Sequence, residues 1–217
     1  MRKWIFILAL LFSVSAHAQD LTYGFTGRFG IYETLVSSSE PVGQDDMLYK
    51  TGLQLEVGAW VRKPVTDAGY LQFTLLQVLE RQGGGSVRLM DAQQNPVADA
   101  KTRYGSLGTA ASLQYFFTLR EKLALGGGVG AKYKYAAIMA IQQPAHAGSS
   151  TGVDDYYQNR YHRRLQVYVP LEAQMALLPR LEVVGQVQVP LTSKVADSSV
   201  FKELDLGVSV GVNYLLL

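Results

Sequence analysis

The chain of 217 residues contains no cysteine. It therefore has no disulfide framework, no thiolate metal site and no cysteine nucleophile. It also lacks the cysteine to which an exported lipoprotein attaches its lipid. Beyond the first 18 residues, no apolar run approaches the roughly 18–20 residues of a transmembrane helix, so the sequence offers no helix to cross a bilayer.

An excess of charge of one sign is also absent. The chain has 20 Lys and Arg against 18 Asp and Glu, and two of the basic residues, Arg2 and Lys3, lie at its start. The charges of the remaining residues balance, and a balanced chain has no electrostatic footprint for nucleic acid. We predict no nucleic-acid partner.

The first 18 residues have the three parts of a secretory signal peptide. Arg2 and Lys3 form a basic start, residues 4–14 an apolar core, and Ala16-His17-Ala18 a small-residue cleavage site. We predict cleavage after Ala18, export from the cytoplasm, and one domain over residues 19–217.

The chain is rich in strict alternation of apolar and polar residues. Two alternating runs flank a break at residues 178–180. A period of two places the apolar set on one face of a sheet, and a short break between two such runs is typical of a β-hairpin. Each arm reaches the roughly 9–11 residues that a tilted strand needs to cross a bilayer. The apolar sets are Leu165, Val167, Val169, Leu171, Ala173, Met175 and Leu177, then Leu181, Val183, Gly185, Val187, Val189 and Leu191.

Six further segments alternate in the same way, near residues 21–31, 53–62, 71–75, 107–117, 123–135 and 204–216. The connections are alternately long (37–47, 82–101, 142–160, 193–201) and short (64–69, 119–122, 179–180). An even number of strands with alternating long and short connections is typical of outer-membrane barrels. We therefore predict an all-β fold, an eight-stranded antiparallel up-and-down transmembrane β-barrel in a bacterial outer membrane.

Aromatic residues fall near the predicted strand ends, as expected for two interfacial girdles. The periplasmic set is Tyr23, Phe25, Tyr70, Phe73, Tyr115, Phe117 and Tyr214, and the extracellular set is Tyr49, Tyr104, Tyr133 and Tyr135.

The polar face carries charges of both signs in comparable number. An eight-stranded barrel is just filled by its own side chains, so these charges are expected to pair inside a closed lumen. The predicted ion-pair network comprises Arg28, Glu56, Arg62, Lys132, Lys134, Arg164, Glu172, Glu182 and Asp205.

Two prolines conflict with continuous strands. Pro170 and Pro190 lie nine or ten residues from the predicted turn on opposite arms, and proline belongs at edges or bulges rather than inside a paired strand. We predict that the two are near neighbours across the hairpin and that the ladder is interrupted there. A lateral opening toward lipid is the functional alternative.

The third outer connection, residues 151–164, holds a concentration of Tyr and Arg. Arg matches phosphate geometry bidentately, so this segment is a candidate contact for lipopolysaccharide or for a protein partner. The residues concerned are Tyr156, Tyr157, Arg160, Tyr161 and Arg163.

The last strand resembles the assembly signal of outer-membrane barrels, with Ser209, Gly211, Tyr214 and Leu216 at the matching positions and Leu217 added at the end. The resemblance implies recognition by the barrel assembly machinery. The segment Tyr168-Val169-Pro170-Leu171-Glu172 resembles a strand of the PorT-like outer membrane β-barrel domain family of the Bacteroidota. The whole layout is similar to OmpA/OmpX-type eight-stranded barrels, which implies the fold and the compartment.

The function most consistent with these features is that of a non-enzymatic outer-membrane barrel with a closed polar lumen. It would act through its extracellular loops or as an accessory subunit of a larger envelope complex for secretion or uptake, with outer-membrane lipids and lipopolysaccharide as partners. We predict no catalytic, cofactor or metal site.

A lipid-modifying barrel enzyme is one alternative. Serine–histidine chemistry needs a histidine within hydrogen-bond reach of a serine. Beyond the predicted signal, only His146 and His162 remain. Arg164 stands two residues after His162, where the outer-membrane phospholipase and lipid A deacylase pattern has serine. A soluble periplasmic lipocalin-like barrel is the other alternative, and it requires the Leu and Val faces to point inward.

Overall fold

The computed structural model describes residues 21–38, 51–90, 96–142, 163–193 and 201–216. These residues form eight strands: β1 Thr22–Ser38, β2 Gly52–Thr66, β3 Gly69–Met90, β4 Pro96–Arg120, β5 Leu123–Gln142, β6 Leu165–Leu178, β7 Leu181–Pro190 and β8 Phe201–Leu216. Each strand pairs antiparallel with its neighbours in sequence, and β1 pairs with β8 to close the barrel. The predicted eight-stranded antiparallel barrel is confirmed. In the described residues, no helix is long and apolar enough to cross a membrane.

Side chains alternate between the lumen and the outer surface along every strand. On β2, Gln54 and Glu56 are buried in the lumen, whereas Leu53, Leu55 and Val57 are exposed on the outside. The apolar faces therefore point outward, which contradicts the soluble binding barrel. An apolar exterior around a polar interior is the pattern of barrels that span a membrane.

The two ends of the barrel differ. Two-residue turns at 67–68, 121–122 and 179–180 connect strands at what we call the inner end. The longer connections and the extended strands lie at the opposite, outer end. Most of the predicted loop 82–101 is paired strand, because β3 and β4 pair as far as Met90 and Pro96. The sequence concealed this hairpin because three glycines at 83–85 interrupt the alternation and produce a register shift there.

The aromatic girdles are only partly as predicted. Tyr23, Phe117 and Tyr214 are exposed on the outer surface, and Tyr133 and Tyr135 are exposed near the outer end. In contrast, Tyr70 and Tyr104 point into the lumen, because they share the inward positions of Gln72 and Ser106. Tyr49 lies outside the described residues.

The prolines interrupt pairing on one side of β6 only. The ladder between β5 and β6 is missing between the pairs Gly127↔Leu171 and Gly130↔Tyr168, opposite Pro170. Proline has no N–H to donate to a ladder. The β6–β7 ladder runs past both prolines, with Tyr168 opposite Pro190 and Pro170 opposite Gln188. The two prolines are thus diagonal neighbours as predicted, but the gap faces β5.

Four aromatic rings in the lumen each lie over a glycine directly opposite on the adjacent strand. A Cβ atom at any of these glycines would come within 2.2–2.6 Å of the ring. The glycines therefore supply the room in which the lumen packs large rings against its own wall. The pairs are Trp60 over Gly24, Tyr32 over Gly52, Phe116 over Gly126, and Tyr168 over Gly130.

Candidate functional site

The inner end of the lumen is closed by a stack of flat groups, Trp60, Arg62, Tyr70 and Phe116, which we call the inner stack. The Arg62 guanidinium carbon lies 4.2 Å from the Trp60 ring centre and 5.0 Å from that of Tyr70. Tyr70 in turn stacks on Phe116 with centroids 5.0 Å apart and planes within 9°. Guanidinium–aromatic contacts of this kind are favourable, and more so when desolvated.

Arg62 also links four strands by hydrogen bonds. It donates to Gln72 Oε1 at 2.7 Å, to Gln174 Oε1 at 2.7 Å, and to both carboxylate oxygens of Glu182. The bidentate ion pair and the stack both require the planar fork of arginine. Arg62 therefore joins β2 to β3, β6 and β7 across the inner end.

Glu172 occupies the middle of the lumen, fully buried, and is paired with Arg28. The shortest distance between the two charged groups is 3.2 Å. Three glutamine amides, from Gln114, Gln174 and Gln186, also donate to the Glu172 oxygens at 3.3, 2.7 and 2.7 Å. A buried carboxylate is tolerated when its lone pairs are satisfied in this way.

Glu56 is equally buried but differently partnered. Its Oε1 atom accepts hydrogen bonds from Gln54 and, at 2.9 Å, from Gln188. Its Oε2 atom has no hydrogen-bond partner, and no described cation lies within ion-pair distance. Among the described side chains, Glu56 therefore differs from Glu172 in lacking a counterion.

The outer part of the lumen contains a charge cluster formed by Glu80, Lys132, Lys134 and Asp205, which we call the outer cluster. Glu80 lies 2.6 Å from Lys132 Nζ and 2.8 Å from Lys134 Nζ, and it accepts a hydrogen bond from Ser106 at 2.6 Å. One buried carboxylate on β3 is thus shared by two lysines on β5.

Asp205 completes the outer cluster from β8. Its Oδ2 atom is 3.9 Å from Lys134, and its Oδ1 atom accepts a 2.7 Å hydrogen bond from Thr34. Lys134 also donates to the Tyr104 hydroxyl at 3.2 Å. The outer cluster thereby joins β1, β3, β4, β5 and β8.

The structure brings most of the predicted lumen residues together and places one elsewhere. Arg28 with Glu172, Arg62 with Glu182, and Lys134 with Asp205 are paired, whereas Glu56 is not. Arg164 is exposed at the outer rim, because β6 begins only at Leu165.

Sequence reasoning missed Glu80, the shared counterion of the two lysines. The predicted third strand ends at Leu75, because beyond it the polarity of the two faces is exchanged. The apolar Leu76 and Val78 face the lumen, and the polar Gln77 faces outward. Extending the period of two through Leu79 would have assigned Glu80 to the lumen.

The other predicted sites lie on the surface or outside the described residues. In β8, Ser209 is buried in the lumen, Tyr214 is exposed on the outer face, and Leu216 pairs with Tyr23. Arg163 is exposed, whereas Tyr156, Tyr157, Arg160, Tyr161, His146, His162 and the predicted signal peptide lie outside the described residues. Within the described ranges, no three His, Asp or Glu side chains are grouped to hold a metal.

Taken together, the lumen is crossed from wall to wall at three levels. Below the outer mouth, a small recess is lined by Lys132, Gln166, Tyr168, Gln188 and Asp205, with Pro190 and Thr192 at its rim. Chemically, the arrangement holds strands together by buried ion pairs and by hydroxyl groups that donate to buried carboxylates.

No known family model matches the chain, and no curated protein sequence does so either. Solved structures match over nearly the whole chain at low identity. Neisserial surface protein A is 14% identical, with 88% of this chain and 96% of that chain covered and a TM-score of 0.46. The attachment invasion locus protein Ail of Yersinia pestis is 14% identical, with coverages of 90% and 99% and a TM-score of 0.41.

The outer membrane protein OprG from Pseudomonas aeruginosa is 10% identical, with coverages of 91% and 96% and a TM-score of 0.41. At such identities the likeness concerns only the general barrel architecture. The chain itself is a closed eight-stranded antiparallel barrel with an apolar exterior.

Proposed function

We propose that this protein is a non-enzymatic barrel of a bacterial outer membrane that acts through the surfaces it presents, not by conducting solutes. The observation that carries the proposal is the filled lumen. Arg62–Glu182, Arg28–Glu172 and the outer cluster each bridge strands on different sides of the barrel. Opening a path would separate the partners of buried ion pairs, which is unfavourable while the charges stay out of water.

The outer end supports a role in contact with partners. Above the last β2 partner, β3, β4 and β5 continue as a three-stranded sheet, with Met90 opposite Pro96 and Thr102 opposite Ile141. On the other side, β1 and β8 continue together to Ser38 and Phe201. These paired extensions continue beyond the outer end of β2, where a loop-mediated contact or docking in a secretion or uptake complex would take place.

The expected topology places the inner turns in the periplasm and the outer extensions outside the cell. Residues 1–18 would be removed on export, and β8 would be read by the barrel assembly machinery through Ser209, Gly211, Tyr214 and Leu216. Amino-terminal sequencing of the membrane-extracted protein tests the cleavage site.

Planar-bilayer conductance of the purified protein tests the main proposal. A filled lumen predicts no single-channel events. Removing Arg28, Arg62 and Glu80 together, as Arg28→Ala, Arg62→Ala and Glu80→Ala, serves as the matched positive control for a lumen deprived of its bridges. Regular conductance steps from the native protein would refute the closed-lumen function.

Mild-detergent extraction and sizing separate the two forms of the proposal. A large stoichiometric assembly supports the accessory subunit, whereas a single small chain in its detergent belt supports a stand-alone barrel acting through its loops. Recovery without detergent would overturn the membrane assignment altogether. A change in lipid A composition that disappears in His162→Ala or His146→Ala would instead establish the enzyme.

A further inference from the structure

The outer, lipid-facing surface carries a polar triad formed by Gln77 on β3, Thr109 on β4 and Tyr135 on β5. Tyr135 donates its hydroxyl to Gln77 Oε1 at 2.8 Å, and Gln77 Nε2 donates to Thr109 Oγ1 at 2.9 Å. All three side chains are on the exposed face. Hydrogen-bonded polar side chains thus lie where the barrel otherwise presents hydrocarbon.

The triad lies in the outer part of the apolar belt, below Arg81. Gln77 stands between Leu75 and Leu79 on the same face, which are 46% and 52% exposed, and it is opposite the exposed Val57. Polar side chains facing lipid are costly and mark functional contacts more often than chance. An amide side chain offers two N–H donors and an acceptor oxygen with two lone pairs. The two bonds of Gln77 use one of each, which leaves a donor and an acceptor facing the membrane.

A cation stands above the triad on the same strand and face. Arg81 is exposed, four residues beyond Gln77 toward the outer end, which corresponds to about 13 Å along the strand. No described side chain forms an ion pair or hydrogen bond with Arg81. Its neighbour across the ladder is Gly105, where an added Cβ would meet only a backbone oxygen at 3.7 Å. The surface beside Arg81 is therefore open.

From the outer end inward, this strip presents a free guanidinium, then aliphatic Leu79 and Leu107, then the polar triad, and then Leu75. An amphipathic lipid with a phosphate at its head and an amide at its acyl linkage offers an anion to Arg81 and both a donor and an acceptor to Gln77. Arg binds phosphate bidentately. An ester linkage only accepts hydrogen bonds, whereas an amide both donates and accepts, as Gln77 requires.

We propose that the strip of Arg81, Gln77, Thr109 and Tyr135 is a binding site for a phosphorylated, amide-linked glycolipid of the outer leaflet, the chemistry of lipid A. The proposal rests on the membrane placement proposed above. It is separate from the predicted contact at residues 156–163, which lies on the β5–β6 connection.

Native mass spectrometry of the full chain, extracted in mild detergent and titrated with bisphosphorylated lipid A, tests the site. We expect Arg81→Gln and Gln77→Leu each to weaken lipid A retention roughly tenfold, the loss of one charge-assisted or amide hydrogen bond in a desolvated setting. Lys63→Gln is the matched control, because Lys63 is an exposed cation on the outer face at the inner end. It should leave retention unchanged.

Phosphatidylglycerol, which has a phosphate and only ester linkages, is the second probe. Weaker retention of this lipid, with no further loss in Gln77→Leu, is expected. Equal retention of both lipids, or unchanged lipid A retention in both variants, would overturn the proposal. Loss in Arg163→Gln but not in Arg81→Gln would assign the lipid to the β5–β6 side instead. If the protein fractionates with the outer membrane yet retains no lipid A, the site fails while the proposed function stands.

Discussion

The inner stack and the outer cluster close the same lumen by different physical means. At the inner end, one cation, Arg62, is held between rings by shape and has a bidentate carboxylate partner in Glu182. At the outer end, two lysines share Glu80, and among the described residues the ring contact is that of Tyr104, whose centre lies 5.4 Å from Lys134 Nζ. The inner closure therefore depends on planar geometry, whereas the outer closure depends on charge balance.

This difference predicts which substitutions each end tolerates. A lysine ammonium is a compact point charge, so another cation can replace it where only charge matters. No other cationic side chain can replace a guanidinium that is stacked between two rings. Trp60 reports on the inner stack by its fluorescence, because the other tryptophan, Trp4, lies in the predicted signal peptide. Each variant below separates charge from shape.

The largest effect is expected from Glu80→Gln, because it leaves Lys132 and Lys134 buried without their shared counterion. Breaking a buried pair by removing one partner costs roughly 3–5 kcal/mol. We expect the free energy of unfolding from phospholipid vesicles, measured by denaturant titration, to fall by about this amount. The native Trp60 emission should stay unchanged, because the inner stack is intact.

The double variant Glu80→Gln with Lys132→Met provides the control for this prediction. It removes Lys132, whose ion-pair partner is lost in Glu80→Gln, while Lys134 keeps Asp205 at 3.9 Å. The double variant should therefore be more stable than Glu80→Gln alone. Additive losses from the two single changes would show that the groups do not interact.

Arg62→Lys should have the next largest effect. The change keeps the charge but loses the stack with Trp60 and the bidentate bond to Glu182. Charge-assisted hydrogen bonds contribute about 1.5–3 kcal/mol and cation–π contacts about 0.5–2 kcal/mol, so we expect a loss of about 2–3 kcal/mol. The Trp60 emission should also shift. The matched change Lys132→Arg at the outer cluster should cost less than about 1 kcal/mol; equal costs at both ends would remove the distinction.

The barrel itself was predictable because a period of two is a property of the chain alone. Apolar and polar residues alternate strictly in segments such as Leu53, Gln54, Leu55 and Glu56. The side of the sheet that each side chain faces, and the number of strands, follow from this alternation. Pairing partners in the lumen were not predictable, because they depend on where side chains from distant strands meet. Arg28 and Glu172 are 144 residues apart.

Two local features could not be predicted from the sequence pattern. The outer half of β3 pairs through its backbone although its glycines carry no pattern. Glu80 follows a segment in which Leu76 and Val78 face the lumen and pack with Ala110 into a small apolar cluster. Where apolar side chains lie in an otherwise polar lumen, the polarity of a residue no longer indicates whether its side chain faces the lumen or the outer surface.

The substitutions Gly126→Ala and Gly130→Ala test how much room the lumen leaves for an added methyl group toward each end. At Gly126 the added methyl would lie 2.5 Å from the Phe116 ring, which is held by its stack on Tyr70. Overpacking of this kind costs about 1–3 kcal/mol. At Gly130 the nearest atoms are the far end of the Tyr168 ring, which borders the outer recess and has space to move. We expect Gly130→Ala to cost less than about 1 kcal/mol, and a larger cost there than at Gly126 would contradict the comparison.

The smallest effect is expected from Glu56→Gln. The amide has the same shape and keeps an acceptor oxygen for Gln54 and Gln188, and no described cation loses a partner. Removing a buried carboxylate that has no described counterion is expected to leave the free energy of unfolding within about 0.5 kcal/mol or to raise it slightly. Glu172→Gln is the matched control, since Glu172 is also fully buried but neutralises Arg28. Its loss should be several times larger in the same denaturant titration, because Glu172 is buried to a similar extent but has a cationic partner in Arg28.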